Sequence, residues 1–335
     1  MNKKAFKKWV ENVPKVELHL HIEGSLEPEL MMTLAEKHQV ALPYQSIQEV
    51  QQAYDFDDLQ SFLDLYYLGA SVLLDEDDFY QLMWRYLCKC RDDNVVHVEI
   101  MFDPQTHTDR GVGFDIFMPG FKRAIKQAQQ EWGQSCLLIM SILRHLSEQS
   151  AIDTLTAAEP YLTDISAVGL DSSEMGNPPE KFSKVFQLAK NLGLKRVAHA
   201  GEEGPPAYIW GAINTLDVHR VDHGVRSIED PYLIEYLIKS QHPLTVCPLS
   251  NTKLKVFEHM QHHNILQLLD LGLLVTVNAD DPSYFGGYLN DNYHALIEHL
   301  PISQDQLRQL VENGFVASFL PDNIKQTWLT KLKTL

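Results

Sequence analysis

The sequence predicts a single (β/α)8 TIM barrel, an α/β fold, with a helical insertion after the first strand. Three observations support this fold class. Eight short apolar runs recur along the 335 residues, helical patterns separate most of them, and nearly every run ends in polar residues. Strands that alternate with helices form parallel βα units, and eight such units close into a barrel. No linker composition divides the chain, so we expect one domain over residues 1–335.

The first strand, residues 16–22, carries the strongest functional signal. From Val16 onward aliphatic side chains occupy the even positions, and ionisable side chains, including His19, His21 and Glu23, occupy the odd positions. A period of two places these two sets on opposite faces of a strand. A row of ionisable groups on so apolar a strand is costly unless a metal ion compensates. Taken alone, the pattern would also fit a half-exposed strand with a polar face.

The other strands are expected in order along the chain, each followed by a polar tail. Their predicted ranges are 95–102, 136–143, 165–170, 195–200, 219–223, 243–248 and 273–279, with helices at 114–132, 147–160, 178–192, 229–240 and 262–271. The largest excess over a minimal barrel is the stretch 25–92, which is helical in pattern and is expected to fold over the mouth as a lid. Because the C-terminal ends of barrel strands meet at one mouth, the polar tails should form a single pocket.

Composition limits the classes of partner. A net charge of −17 and a pI near 5.2 argue against binding to nucleic acid or to anionic membranes. The four cysteines form no CxxC pair, which indicates free thiols in a reducing compartment. The lysines at the N-terminus precede no apolar segment, and no apolar run is long enough to cross a bilayer. We therefore expect a soluble cytoplasmic protein that acts on a small molecule.

The strand tails also supply a candidate metal site. His199 ends the fifth strand and Asp280 ends the eighth, so that with His19 and His21 they provide three imidazoles and one carboxylate. This set suits one Zn²⁺ per chain, with a coordination position left for water. The tail 169–173 has no lysine that could bridge two metals, and the PCxxC pair of zinc cytidine deaminases is absent.

Three further residues are candidates for the chemistry. Glu202 follows His199 by three positions, and a dry pocket would raise its pKa, which makes it the candidate general acid. His223 is the candidate base that orients the attacking water, whose pKa a bound metal ion lowers to about 7. Asp281 follows Asp280 and can accept a hydrogen bond from a substrate N–H, although Asp-Asp-Pro is also a common turn sequence.

Five segments together resemble the adenosine/AMP deaminase family in order and spacing: PKVELHLHIEG, AHAGEE, VDHGVR, CPLSNTKL and VNADDPSYFGG. The resemblance runs from about residue 10 to the C-terminus. It implies that zinc is bound by His19, His21, His199 and Asp280, that Glu202 protonates the purine N1, that His223 partners the attacking water and that Asp281 contacts N7. The implied reaction is hydrolytic deamination by a zinc-activated water.

Two departures bear on the substrate. Glu23 stands where adenosine deaminases have an Asp that meets the ribose 5′-hydroxyl, and 171–174 (Asp-Ser-Ser-Glu) replaces a Gly-containing apolar turn. The segments HIEGSLEPEL, DPQTHTDRG, GLDSSE and EEGPPAYIW resemble the branch of this family that acts on free adenine. This resemblance implies conversion of adenine to hypoxanthine and ammonia in purine salvage, with Glu23 expected to bind a ring N–H. Adenosine or an N6-substituted adenine is the alternative substrate. A regulatory protein on an inactive barrel and a metal-dependent phosphoesterase are the alternatives of other classes.

Overall fold

The computed structural model describes residues 3–56 and 58–334. In these residues eight parallel strands form one ring, in which consecutive strands pair in chain order. The strands are β1 (Lys15–His21), β2 (Val95–Phe102), β3 (Ser135–Leu143), β4 (Ile165–Asp171), β5 (Lys195–Ala200), β6 (Arg220–His223), β7 (Leu244–Val246) and β8 (Val275–Val277). The predicted barrel is confirmed.

The ring closes between its first and last strands. The His21 N–H donates to the Asp280 carbonyl and the Asp280 N–H donates to the His19 carbonyl, and both hydrogen bonds are 3.0 Å long. The Leu18 N–H donates instead to the side-chain oxygen of Asn278, at 3.1 Å. β8 ends at Val277, earlier than the sequence pattern predicts, and the side chain of Asn278 makes the next contact with β1.

Helices surround the ring and also fill the long connection after β1. They are α1 (Lys3–Asn12), α2 (Pro28–His38), α3 (Ile47–Ala53), α4 (Leu59–Ala70), α5 (Glu76–Asp92), α6 (Pro104–Thr108), α7 (Phe114–Trp132), α8 (Glu148–Ala157), α9 (Ser183–Asn191), α10 (Pro206–Asn214), α11 (Pro231–Ser240), α12 (Pro248–Lys253), α13 (Ile265–Asp270), α14 (Pro282–Phe285), α15 (Leu289–His299), α16 (Gln304–Ala317) and α17 (Asp322–Leu332).

Capping residues mark the ends of several helices, both in the inserted segment and later in the chain. Asp58 and Asp75 each cap a helix, α4 and α5 respectively, by accepting hydrogen bonds from backbone N–H groups of the first turn. Helix α7 ends at Gly133, which takes the left-handed conformation that favours glycine. Helix α5 packs along α7 on the outside of the barrel, whereas α4 lies over the mouth.

The core has two parts. A small cluster of Met101, Ile139, Ala167 and Val197 fills the barrel interior, and a large cluster lies between the strands and the helices. All seven residues of β1 are buried, with His19 fully so. This excludes the half-exposed strand as an explanation of its alternating sequence. Among the residues described, no helix combines the length and apolar character needed to cross a bilayer. The four cysteines are free thiols.

Candidate active site

Three imidazoles and one carboxylate converge at the C-terminal mouth of the barrel. The Nε2 atoms of His19 and His21 lie 3.1 and 3.2 Å from Nε2 of His199. Oδ1 of Asp280 lies 3.3 Å from Nε2 of His19 and 3.5 Å from Nε2 of His21. All four residues are buried and could hold a metal ion. Ligands about 2.0–2.1 Å from a tetrahedral zinc ion are separated by roughly 3.3 Å, so the four donor atoms fit such an ion.

The opposite ring nitrogens of the three histidines face acceptor oxygens. Nδ1 of His19 lies 3.1 Å from Oγ1 of Thr245, and the Thr245 hydroxyl in turn donates to Asp222 at a distance of 2.8 Å. Nδ1 of His199 lies 3.6 Å from Asp222, and Nδ1 of His21 lies 3.4 Å from Asp171.

With the ring protons on Nδ1, toward these oxygens, the Nε2 lone pairs of the three rings would be directed at one point. Burial, and next the charge of His19, lower the pKa of His199 to about 4, which keeps that ring neutral as metal binding requires.

His223 and Asp280 at the mouth have a left-handed backbone, as does Ser172, which has a φ of +69°. His223 has a φ of +65° and Asp280 a φ of +64°, although neither is glycine. Such conformations cost on the order of 1–3 kcal/mol and are concentrated at functional sites. In His223 and Asp280 they occur where β6 ends and just after β8, and they accompany the turn of both side chains into the mouth.

Glu202 and His223 share one wall of the site. Oε2 of Glu202 lies 3.6 Å from Nε2 of His223. Burial, and then the negative charges of Asp280 and Glu174, raise the pKa of Glu202 well above its ordinary value. A carboxyl group in this environment holds a proton near neutral pH and can donate it. Burial lowers the pKa of His223, so that ring is neutral.

Asp281 lies beside Asp280 and faces Gly24. A β-carbon at Gly24 would stand 1.9 Å from Oδ1 of Asp281, so only glycine leaves room for this carboxyl group. Burial, and next the charge of Asp280, raise the pKa of Asp281 above its ordinary value. Its Oδ1 atom is buried and has no hydrogen-bond partner in the described part of the chain.

The position of Glu23 differs from that expected for a strand residue. β1 ends at His21, and Glu23 begins a 3-10 turn, so strand alternation does not set the direction of its side chain. Its carboxylate lies 2.7 Å from Nε2 of His107 and accepts the backbone N–H of Asp103 at 3.2 Å and the Tyr66 hydroxyl at 3.3 Å. Asp103 and Tyr66 line the central cavity, and Glu23 lies behind them.

The central cavity lies between the barrel mouth and α4. Its floor is polar, and its roof is apolar and aromatic. The lining residues on the barrel side are His21, Asp103, Asp171, Ser172, His199, Glu202, His223, Asp280 and Asp281, and those above them are Leu59, Phe62, Leu63, Tyr66, Tyr67, Leu254 and Phe285. No Lys or Arg of the described residues is among them. The Tyr67 hydroxyl lies 3.0 Å from Oγ of Ser172 and closes one side of the cavity.

Several site residues were not assigned roles from the sequence. Asp222 and Thr245 orient the histidines, and the amide nitrogen of Asn251 lies 3.2 Å from Nδ1 of His223. Asp222 lies in β6 and Thr245 in β7, whereas Asn251 follows β7; Asp222 and Asn251 belong to the tails Val-Asp-His-Gly and Pro-Leu-Ser-Asn. The polar character of these tails was the available signal, but which member of a tail points inward depends on the bend of the chain after the strand.

On geometry alone, the chain falls in the class of metal-dependent hydrolases built on (β/α)8 barrels. Comparison with known proteins narrows this class. The family model described as adenosine deaminase matches residues 14–335, and the chain belongs to that family.

Similar proteins support the assignment over nearly the full length. A protein from Hahella chejuensis named adenine deaminase is 57% identical over 324 residues, which cover 97% of each chain. One of the same name from Acinetobacter baylyi is 55% identical over 326 residues, covering 97% of this chain and 98% of that one. The crystal structure of adenine deaminase from Arthrobacter aurescens superimposes with a TM-score of 0.94 at 44% identity, covering 96% of this chain and 98% of that one.

Proposed function

We propose that this protein catalyses the hydrolytic deamination of adenine to hypoxanthine and ammonia. The observation that carries the proposal is the chemistry of the cavity. Glu202, Asp281 and Asp171 each have a buried side-chain oxygen without a hydrogen-bond partner among the described residues, and all three line the cavity. Such a lining suits a neutral, flat ligand with both N–H groups and basic ring nitrogens. The relatives named adenine deaminase support the same substrate.

The donor set supports one zinc ion, which would be held by His19, His21, His199 and Asp280. Three imidazoles and a carboxylate are typical ligands of Zn²⁺, and their separations suit a four-coordinate ion. When bound, the ion would lower the pKa of water toward neutrality and so supply the nucleophile.

The other residues have distinct proposed roles. Glu202 holds a proton and donates it to the purine N1 as the 6-carbon is attacked. His223, 3.6 Å from Glu202, orients the attacking water. Asp281 contacts N7, because it lies beside Asp280 on the same edge of the cavity. With these groups engaged, ammonia leaves from the 6-carbon and the ring becomes hypoxanthine.

Glu23 contributes to substrate binding through its neighbours. The N9 side of a purine in this pose faces the wall formed by Asp103, Tyr66 and Ser172, and Glu23 accepts hydrogen bonds from the first two. We infer that this wall accepts a ring N–H and leaves little room for a sugar. Adenosine and N6-substituted adenines are the alternative substrates.

The absence of cationic side chains from the described cavity lining disfavours a phosphate ester as substrate. We further propose that residues 1–335 are one domain, that the segment 25–92 acts as its lid, and that the enzyme serves purine salvage in the cytoplasm.

The test is direct. Purified protein loaded with Zn²⁺ is incubated with adenine, adenosine and 6-methylaminopurine, while ultraviolet absorbance and released ammonia are followed. Production of hypoxanthine and ammonia from adenine supports the proposal. An inactive protein with a full complement of metal would instead support a regulatory role, and release of phosphate from an ester would support a phosphoesterase.

A further inference from the structure

A buried carboxylate outside the cavity holds the loop that carries the general acid. Glu174 follows β4 and is 1% exposed. Its two oxygens accept four consecutive backbone N–H groups, from Gly201 at 2.7 Å, Glu202 at 3.1 Å, Glu203 at 2.9 Å and Gly204 at 2.8 Å. These four donors are the backbone of the turn between β5 and α10.

Arginines bind one carbonyl group of the same loop and one of the strand end just before it. Nη1 of Arg144, a buried residue after β3, donates to the carbonyl of His199 at 2.6 Å. Arg226 donates to the carbonyl of Glu203. The loop is thus held by a negative side chain on its donors and by positive side chains on its acceptors, an arrangement of charge-assisted hydrogen bonds.

The glycines of the loop permit this close approach. A β-carbon at Gly204 would lie 2.4 Å from Oε1 of Glu174, and Gly201 has a φ of +73°. The carboxylate therefore occupies a concave set of N–H groups of the kind that binds anions.

The Glu202 side chain itself is weakly held. Its Oε1 atom has no hydrogen-bond partner in the described chain, and its Oε2 atom lies 3.6 Å from His223, beyond hydrogen-bond distance. The position of this carboxyl group consequently depends on the backbone to which it is attached. That backbone is fixed by Glu174.

We propose that Glu174 is a positioning residue that holds Glu202 at the place where it protonates the substrate. The role rests on the proposed function. Glu174 does not contact the substrate, because both its oxygens are directed at the loop and it is not among the residues that line the cavity in the described chain.

The first test is a double-mutant cycle of Glu174→Gln, Glu202→Gln and the double variant, assayed with adenine. Gln keeps the shape of the Glu174 side chain but replaces one acceptor oxygen with an NH₂ group, which cannot accept a hydrogen bond from the backbone N–H groups of the loop. We expect Glu174→Gln to lower kcat by about 10–100-fold, with KM changed only a few-fold and metal content retained. In the Glu202→Gln background the same change should lower kcat by less than about threefold, because the group being positioned is already absent.

Glu148→Gln is the matched control, because Glu148 also accepts a backbone N–H, that of Lys184, but is not among the described residues that line the cavity. It should leave kcat unchanged. A normal kcat for Glu174→Gln would overturn the proposal. Additive losses in the cycle, or a loss that parallels metal content, would show a merely structural role and overturn it as well. If Glu174→Gln does not fold, Glu174→Asp, which keeps the charge but is shorter, takes its place with the same criteria.

Hydrogen exchange separates this proposal from the proposed function. The amides of residues 201–204 should exchange faster in Glu174→Gln than in the unaltered protein, and Glu148→Gln should not show this change. Unchanged protection of these amides would contradict the positioning role even if adenine is the substrate. Faster exchange in a protein inactive on adenine would refute the proposed function and leave the loop contact standing.

Discussion

At the scale of single residues, the site depends on burial more than on any one contact. Glu202 is 5% exposed, and burial is the largest cause of its raised pKa. Burial is also the largest cause of the lowered pKa of His223. A protonated carboxyl group and a neutral imidazole on one wall form the pair that an acid-catalysed addition of water requires.

Removing the proton from Glu202 tests its role. Glu202→Gln keeps the shape of the side chain, so turnover of adenine should fall by about 10²–10⁴-fold while the metal content is unchanged. His223→Ala should have a similar effect. Steady-state kinetics with elemental analysis measures both quantities. Near-normal turnover in either variant would remove that residue from the mechanism.

Gly24→Ala tests the position of Asp281. The added β-carbon would lie 1.9 Å from Oδ1 of Asp281, so that side chain must move, and kcat/KM for adenine should fall by about tenfold or more. The control is Gly113→Ala, whose β-carbon would approach only the Asp115 carboxylate oxygen, at 2.5 Å. Unaltered kcat/KM in Gly24→Ala, together with a normal free energy of unfolding, would show that Asp281 does not require this space.

At the scale of elements, periodicity predicted most of the barrel from the sequence. Strand β2 and helix α7 have the predicted ends, and β1 differs by one residue at each end. β7 covers three residues of the predicted 243–248: it begins directly after Pro243, and Cys247 separates it from Pro248, where α12 begins. The prediction that Glu23 points the same way as His19 and His21 was wrong, because the strand ends at His21 and the chain turns there. The contacts of Glu174 with the next loop could not be predicted, because they depend on how two connections pack in three dimensions.

The junction of α1 and β1 makes a prediction about pH. Burial lowers the pKa of Lys15 from 10.5 to about 7, and its amino group donates to the carbonyls of Val10 and Val13 at 2.5 and 3.0 Å. Between pH 7 and 10.5 the unfolded chain keeps a proton that the folded chain releases. The free energy of unfolding should therefore rise with pH in this range, by about 1.4 kcal/mol per pH unit from this residue.

Denaturant unfolding of the unaltered protein and of Lys15→Met between pH 7 and 9.5 checks this prediction. The variant should lack the rise, while Lys4→Met, at an exposed position of helix α1, should retain it. Equal pH dependence in the unaltered protein and Lys15→Met would contradict it.

At the scale of the whole molecule, one metal ion per chain should join the ends of three strands, β1, β5 and β8, across the barrel. Because the ion binds the folded state only, its removal with a chelator should lower the midpoint of thermal unfolding and abolish turnover, and added Zn²⁺ should restore both. Affinity should fall in acid as the imidazoles become protonated. Elemental analysis that finds two ions per active chain, or none, would refute the single site.

The overall charge agrees with the proposed substrate. The chain carries a net charge of −17. The described residues that line the cavity include several carboxyl groups and no Lys or Arg. Such a surface and cavity disfavour anionic ligands and suit a neutral base. The Tyr67 hydroxyl and Oγ of Ser172, which lie 3.0 Å apart, both line this cavity.

The most direct measurement is the ratio of kcat/KM for adenine to kcat/KM for adenosine. A nucleoside lacks the N9–H that the wall of Asp103 and Tyr66 would bind, and it adds the bulk of a ribose next to Ser172. An unpaired buried carboxylate and a steric conflict together predict a preference for adenine on the order of 10³-fold or more. Equal or higher kcat/KM for adenosine would contradict the account and make the nucleoside the substrate.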